Sequence, residues 1–344
     1  MILLYLVLFL IFISSLRKSS GKWNCDYISK DTSNILKGVC IWIVFICHIS
    51  AYLGRIENLP VFDTLLFVAN SYIKQLLVVP FLFFSGYGVT LAIKKKGSKY
   101  GNNILYNRCL PTLLNFDVAV FFFLIMNIIL QKHYDFFNIL LAFVGWESIG
   151  NSNWYIFCII LCYAMSWLSF KIFGYNTKML LTLSGLVIIY SIIMFIFSEG
   201  PWWYDSVYSY AGGAIFAYYK DKSEIKIVAH YWTLAILSII GFLFFYNLPT
   251  TFGIAPNISG LFLCIMMILF TSKVRLKSIF LEWSGRHLFP LYIYQRLPMI
   301  ALASIGGGYF LHNHYYLYIA LCLIVTLIIA YIYKYIDIRL NKRG

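Results

Sequence analysis

Lys37 and His48 stand eleven residues apart in one apolar stretch, Lys37-Gly38-Val39-Cys40-Ile41-Trp42-Ile43-Val44-Phe45-Ile46-Cys47-His48. Eleven helical steps of about 100° make three turns plus roughly 20°, so both side chains share one helix face, about 16 Å apart along the axis. Ionisable groups are costly inside lipid and mark candidate sites where they occur. A neutral imidazole accepts a proton from a hydroxyl near neutral pH, which makes His48 a candidate general base. A histidine hydrogen-bonded between helices, with a lysine snorkelling to the interface, fits the same spacing.

Other groups able to do chemistry are spread along the chain. Ser85 and Gly86 lie in Val79-Pro80-Phe81-Leu82-Phe83-Phe84-Ser85-Gly86-Tyr87-Gly88-Val89. The proline and two glycines there predict a kink and close backbone approach. A packing notch of small residues reads equally well. Arg108 follows the basic run Lys94-Lys95-Lys96 and Lys99 and precedes Pro111, and a guanidinium fork suits phosphate. Glu147 and Trp154 belong to Trp146-Glu147-Ser148-Ile149-Gly150-Asn151-Ser152-Asn153-Trp154-Tyr155. That mixture suits stacking on sugar rings and hydrogen bonds to hydroxyls, and it also suits a plain interfacial belt. Arg286 ends Trp283-Ser284-Gly285-Arg286. Arg296 falls in the next apolar run, where it either pairs with Asp117 or holds an acidic group in a cavity.

The elements that must position these groups are membrane helices. Of 344 residues 61% are hydrophobic and only 12% charged, against about 25% charged in soluble domains. Apolar runs at about 1–16, 36–54, 73–93, 110–130, 154–173, 179–198, 206–220, 227–247, 256–271, 287–305 and 315–335 predict an all-α polytopic membrane protein with about eleven transmembrane helices. Several runs are short, which implies tilt, breaks or re-entry. The chain divides into an N-terminal helix and basic linker (1–32), a transmembrane domain (33–335) and a basic tail (336–344).

The formal net charge is +14, and its placement argues against nucleic acid as partner. Segments 17–37, 94–109, 171–178, 220–226, 273–286 and 334–343 hold 23 of the 27 Lys and Arg. Such alternation is the positive-inside pattern: a multi-pass cell-membrane protein with its C-terminus cytoplasmic and its N-terminus extracytoplasmic. The basic excess also suits anionic membrane lipids. In residues 1–16 the charge follows the apolar run, as in a retained helix rather than a cleaved signal. The eight cysteines form no zinc-type pair and read as small buried hydrophobes. No metal is expected, and no Walker loop, GxGxxG, HExxH or GxSxG occurs.

Taken in order, these motifs resemble membrane acyltransferase family 3, the integral-membrane O-acyltransferases that modify bacterial surface polysaccharides. Lys37-Gly38 and His48 match its opening pattern, and Phe83-Phe84-Ser85-Gly86-Tyr87 its Phe-rich segment. Arg108 and Pro111 match its basic run, and Trp154-Tyr155-Ile156 its Trp-Phe-Leu segment. Ser284 with Leu291-Tyr292-Ile293-Tyr294 resembles its late motif. The resemblance spans about residues 33–335. Lys37 stands where many members carry Arg, and Gln295 where a histidine ends the late motif.

The resemblance implies a ten-helix core, so the first helix is an addition. It also implies transfer of an acyl group, most simply acetyl from acetyl-CoA, to a sugar hydroxyl of a capsule, exopolysaccharide or other exported glycan. His48 is then the catalytic base, and Arg108, Lys37 and Arg286 bind the donor. Ser85 and Gly86 stabilise the oxyanion, while Glu147, Trp154 and Arg296 meet a glycan or lipid-linked sugar acceptor. Homo-oligomers or a glycan-synthesis complex are compatible partners. Two rivals share these features: a transporter or flippase of glycan precursors, and a non-catalytic subunit of a glycan synthase in which His48 is structural.

Overall fold

In hydrocarbon every backbone N–H and C=O must be paired inside its own segment, so the apolar runs fold as helices. The computed structural model describes residues 2–19, 21–54, 61–73, 75–197, 200–249 and 253–337. The expected outer cations Arg55 and Lys74 and residues 338–344 of the basic tail lie outside the described residues. In chain order come α1 (Ile2–Ser15), α2 (Lys30–Leu53), α3 (Val61–Ile73), α4 (Val79–Lys96), α5 (Ser98–Gly101) and α6 (Leu110–Ile129). Then follow α7 (Phe136–Phe143), α8 (Trp154–Phe173), α9 (Thr177–Phe197), α10 (Tyr208–Tyr218), α11 (Lys220–Tyr246) and α12 (Ile254–Lys273). The rest comprises α13 (Ile279–Arg286), α14 (Leu288–Tyr294), α15 (Arg296–Ala303), α16 (Tyr309–Asn313) and α17 (Tyr315–Ile332).

Among the described residues eight helices are long and apolar enough to cross a membrane: α2, α4, α6, α8, α9, α11, α12 and α17. The other three expected spans differ. Helix α1 has 14 residues. Helix α10 has 11 residues, about 16 Å, roughly half the hydrocarbon thickness. The run 287–305 is broken into α14 and α15, because Pro298 has no N–H to give the Tyr294 carbonyl one turn earlier. The kink expected at Pro80 is absent. Pro80 and Pro111 both stand in the first turn of their helices, where a missing N–H costs nothing. A short antiparallel ribbon, β1 (Leu16–Lys18) with β2 (Val274–Leu276), is the departure from an all-helical chain. It ties the end of α1 to the segment before α13.

Two helix crossings bring backbone onto backbone. A Cβ on Gly38 would overlap the Leu281 carbonyl, and one on Gly285 the Asn34 carbonyl, so α2 and α13 meet through a glycine from each side. Helices α4 and α10 meet likewise: Gly86 lies against the Tyr210 carbonyl and Gly213 against that of Phe83. Trp42 fastens the first crossing, its Nε1–H donating 2.8 Å to Ser284 Oγ while its ring stacks on Phe280. Ser29 caps α2 by accepting from the Thr32 N–H.

The crossings make a contrast that thermal unfolding of the purified protein can read. Gly213→Ala should lower the midpoint, since overpacking costs about 1–3 kcal/mol. Gly88→Ala, on the same crossing helix α4 but with nothing within 4 Å of its added carbon, should raise it slightly through helix propensity.

At the end of the bundle away from the ribbon, Asp205 is 7% exposed and its Oδ1 has no hydrogen-bond partner among the described residues. Burial pushes its carboxyl up to about 8. The unfolded chain ionises this group near pH 4, while the folded chain keeps the proton up to about pH 8. The unfolded state therefore binds fewer protons in that window, and stability falls as pH rises through it. The midpoint should drop between pH 5 and 8, and drop less steeply in Asp205→Asn.

Candidate active site

Helices α2, α4, α8 and α14 pack together and carry a continuous seam of polar and aromatic side chains. At its basic end Arg108 sits in a π-helical turn, Leu105–Cys109, immediately before α6. Such turns insert a residue into the helical ladder and recur at functional sites. Arg108 Nε donates 3.0 Å to the Tyr100 hydroxyl, and its charge lies within electrostatic range of Tyr163 and Tyr210. The side chain keeps accessible surface amid these rings, as a group lining a cleft does. Half-buried Lys37 feels the Arg108 charge. Two cations in mutual range repel, and an anion between them relieves both.

Ser85 lies beside the Tyr155 and Tyr163 hydroxyls. Tyr155 packs on Tyr292 with ring centroids 5.1 Å apart, and Tyr292 meets the His48 ring at 6.4 Å. Ser152 and the Arg296 charge both lie within electrostatic range of the Tyr292 hydroxyl. The order from the basic end is thus Arg108 and Lys37, then Tyr163, Ser85 and Tyr155, then Tyr292 and His48, then Ser152 and Arg296.

The segment before α8 closes the far end of the seam. Gly145 and Gly150 take φ of +77° and +113°, conformations that favour glycine, and turn the chain inward. Asn153 Nδ2 donates to the Gly145 and Trp146 carbonyls at 3.0 and 2.8 Å. Asn127 Nδ2 reaches the Ile149 carbonyl at 2.7 Å. Asn151, Ser152 and Asn153 are all buried, and Trp146 packs on Phe157 and Trp203. The segment expected to stack on sugar or to form an interfacial belt is therefore largely a folded plug. Glu147 and Trp154 stay half-buried at its edge.

Three expected site residues take other partners. Arg296 does not pair with Asp117: its Nη1 donates 3.4 Å to the Asn151 carbonyl, and Asp117 Oδ1 has no hydrogen-bond partner among the described residues. Arg286 bridges Asp31, at 3.4 Å, and Glu282, securing the start of α2 to α13. Gly86 faces α10, and in mid-helix its N–H belongs to the helical ladder. The residues sequence reasoning passed over are Tyr292, Tyr163 and Ser152. Among 28 tyrosines an interfacial belt hides the first two, and Ser152 is one small residue in a mixed polar segment; the signal available for Tyr292 was the Leu291-Tyr292-Ile293-Tyr294 motif. Among the described residues no group of three His, Cys, Asp or Glu is placed to hold a metal ion.

The family model described as an acyltransferase domain matches residues 31–335. No curated protein matches the chain, and no solved structure does. The matched stretch runs from the first turn of α2 past the end of α17 and takes in the whole seam, so the chain belongs to membrane acyltransferase family 3.

Proposed function

We propose that the protein is a membrane O-acetyltransferase, moving acetyl from acetyl-CoA to a sugar hydroxyl of a surface or exported polysaccharide. The observation that carries this reading is the seam itself, which joins a two-cation cleft to a histidine on the same face of α2. The loop charges support placing the basic end in the cytoplasm. Arg108, oriented by Tyr100, then takes a donor phosphate, and Lys37 neutralises the charge beside it. Arg286 holds the start of α2.

His48 removes the proton of the acceptor hydroxyl as the oxygen bonds the acetyl carbonyl carbon. The carbon–sulfur bond breaks, and the proton leaves with the thiol. Ser85, beside Tyr155 and Tyr163, donates to the developing oxyanion. This reading moves that role away from Gly86, whose N–H is spent in its helix. Arg296, Glu147 and Trp154 meet the acceptor at the edge of the loop that covers the far end.

Purified protein in lipid nanodiscs, given labelled acetyl-CoA and deacetylated glycan, tests the reading. His48→Ala should lose about 100-fold or more of the turnover, the scale of general-base removal, while keeping its unfolding midpoint. Arg108→Lys should raise the KM for acetyl-CoA about tenfold, the worth of one charged hydrogen bond. Unchanged turnover in His48→Ala would sink the assignment. In cells, a deletion strain should carry glycan at its surface without ester groups; a transporter would leave the surface without glycan.

A further inference from the structure

We propose a second binding site, for the headgroup phosphate of an anionic phospholipid, at the basic end of the bundle and apart from the His48 seam. Helix α11 is broken at His230, whose φ of −127° and ψ of 32° are not helical. The break opens a pocket of about 230 Å³ lined by Lys22, Trp23, His230, Tyr231, Trp232 and Lys273 among others. Neither aspartate nor glutamate lines it.

The pocket is built from fixed parts. Asn24 straps the preceding segment to the end of α12: its N–H donates 2.8 Å to the Ser272 carbonyl, and its Nδ2 donates 2.8 Å to that of Thr271. Lys273 Nζ lies 3.2 Å from the centroid of the Trp23 ring and 4.8 Å from that of Tyr231. It also donates to the Lys22 carbonyl at 3.4 Å. Its partners are thus two ring faces and one carbonyl, with no carboxylate within ion-pair distance among the described residues. The two acids of α11 are engaged elsewhere. Glu224 meets Lys220 and Tyr27, and Asp221 meets Lys94.

Height favours a lipid over a soluble anion. The break separates the charged start of α11, Lys220 to Lys226, from its apolar remainder. Trp232 beside it is 75% exposed, with Val228 and Ile236 exposed on either side. Tryptophan settles at headgroup level, and basic pockets between helices at that level take anionic headgroups. Two ammonium groups then meet the phosphate, and the rings of Trp23 and Trp232 flank the glycerol.

Native mass spectrometry of the full chain with equal phosphatidylglycerol and phosphatidylcholine reads the site. The protein should retain phosphatidylglycerol preferentially. Lys22→Gln, at an exposed residue that lends the fold only its backbone carbonyl, should weaken retention roughly five-fold, the effect of one lysine near an anionic surface. Adding Lys273→Gln should weaken it further, and Lys273→Arg should keep it. Lys178→Gln, an exposed lysine away from the pocket, should change nothing. Equal retention of the two lipids, or undiminished retention in Lys22→Gln, would overturn the proposal. So would displacement of phosphatidylglycerol by millimolar inorganic phosphate, which would make the ligand a soluble phosphate. Acetyl transfer by Lys22→Gln should be unaffected, so this site and the His48 assignment fail independently.

Discussion

Backbone contact between helices is the constraint on which the rest of this bundle depends. Lipid supplies no hydrophobic drive to bring helices together, so packing of small residues must do it. Where Gly38 and Gly285 meet the Leu281 and Asn34 carbonyls, and Gly86 and Gly213 those of Tyr210 and Phe83, no side chain intervenes. Each crossing also fixes the chemistry beside it. Neighbouring residues on a helix point about 100° apart. With Gly86 facing α10, Ser85 turns toward Tyr155 and Tyr163; with Gly38 facing α13, Lys37 turns toward Arg108. The crossing glycines thus set the height and direction of two seam residues without taking part themselves.

The seam they create is graded. Cations gather at one end, hydroxyls and rings fill the middle, and the histidine lies beyond. Tyrosine suits the middle because its ring packs as an apolar body while its hydroxyl keeps a polar partner. Tyr163 is buried between Ser85 and the Arg108 charge, and Tyr292 is buried between Ser152 and His48. A polar path can cross a dry interior in this way without a string of buried ions, which would each carry a large desolvation cost.

Much of this was legible in the chain before folding, and the illegible parts share a cause. Apolar runs and loop charges disclosed a polytopic helical protein, because lipid imposes that pattern on any sequence inside it. The Lys37–His48 face followed from helical period alone. What escaped was decided by neighbours. Gly86 and Gly88 look alike in sequence, yet one abuts a carbonyl and the other has open space beside it. Pro80 reads as a kink until the start of α4 is known. Trp146 and Asn153 read equally as part of a sugar-binding surface or of an interfacial belt, and their side chains are engaged in folding their own loop. Arg296 and Asp117 were plausible partners by depth, and the inward turn at Gly145 and Gly150 gave Arg296 a carbonyl instead.

Gln295 shows how a departure from the family pattern is absorbed. A histidine at that position would add a second titratable group near the acceptor end. Gln295 is fully buried at the junction of α14 and α15, and its Nε2 donates 3.1 Å to the Tyr292 carbonyl. It therefore steadies the backbone of the residue whose ring meets His48, and an amide does so with the same strength at any pH. Gln295 thereby keeps the broken helix and Tyr292 in place around His48.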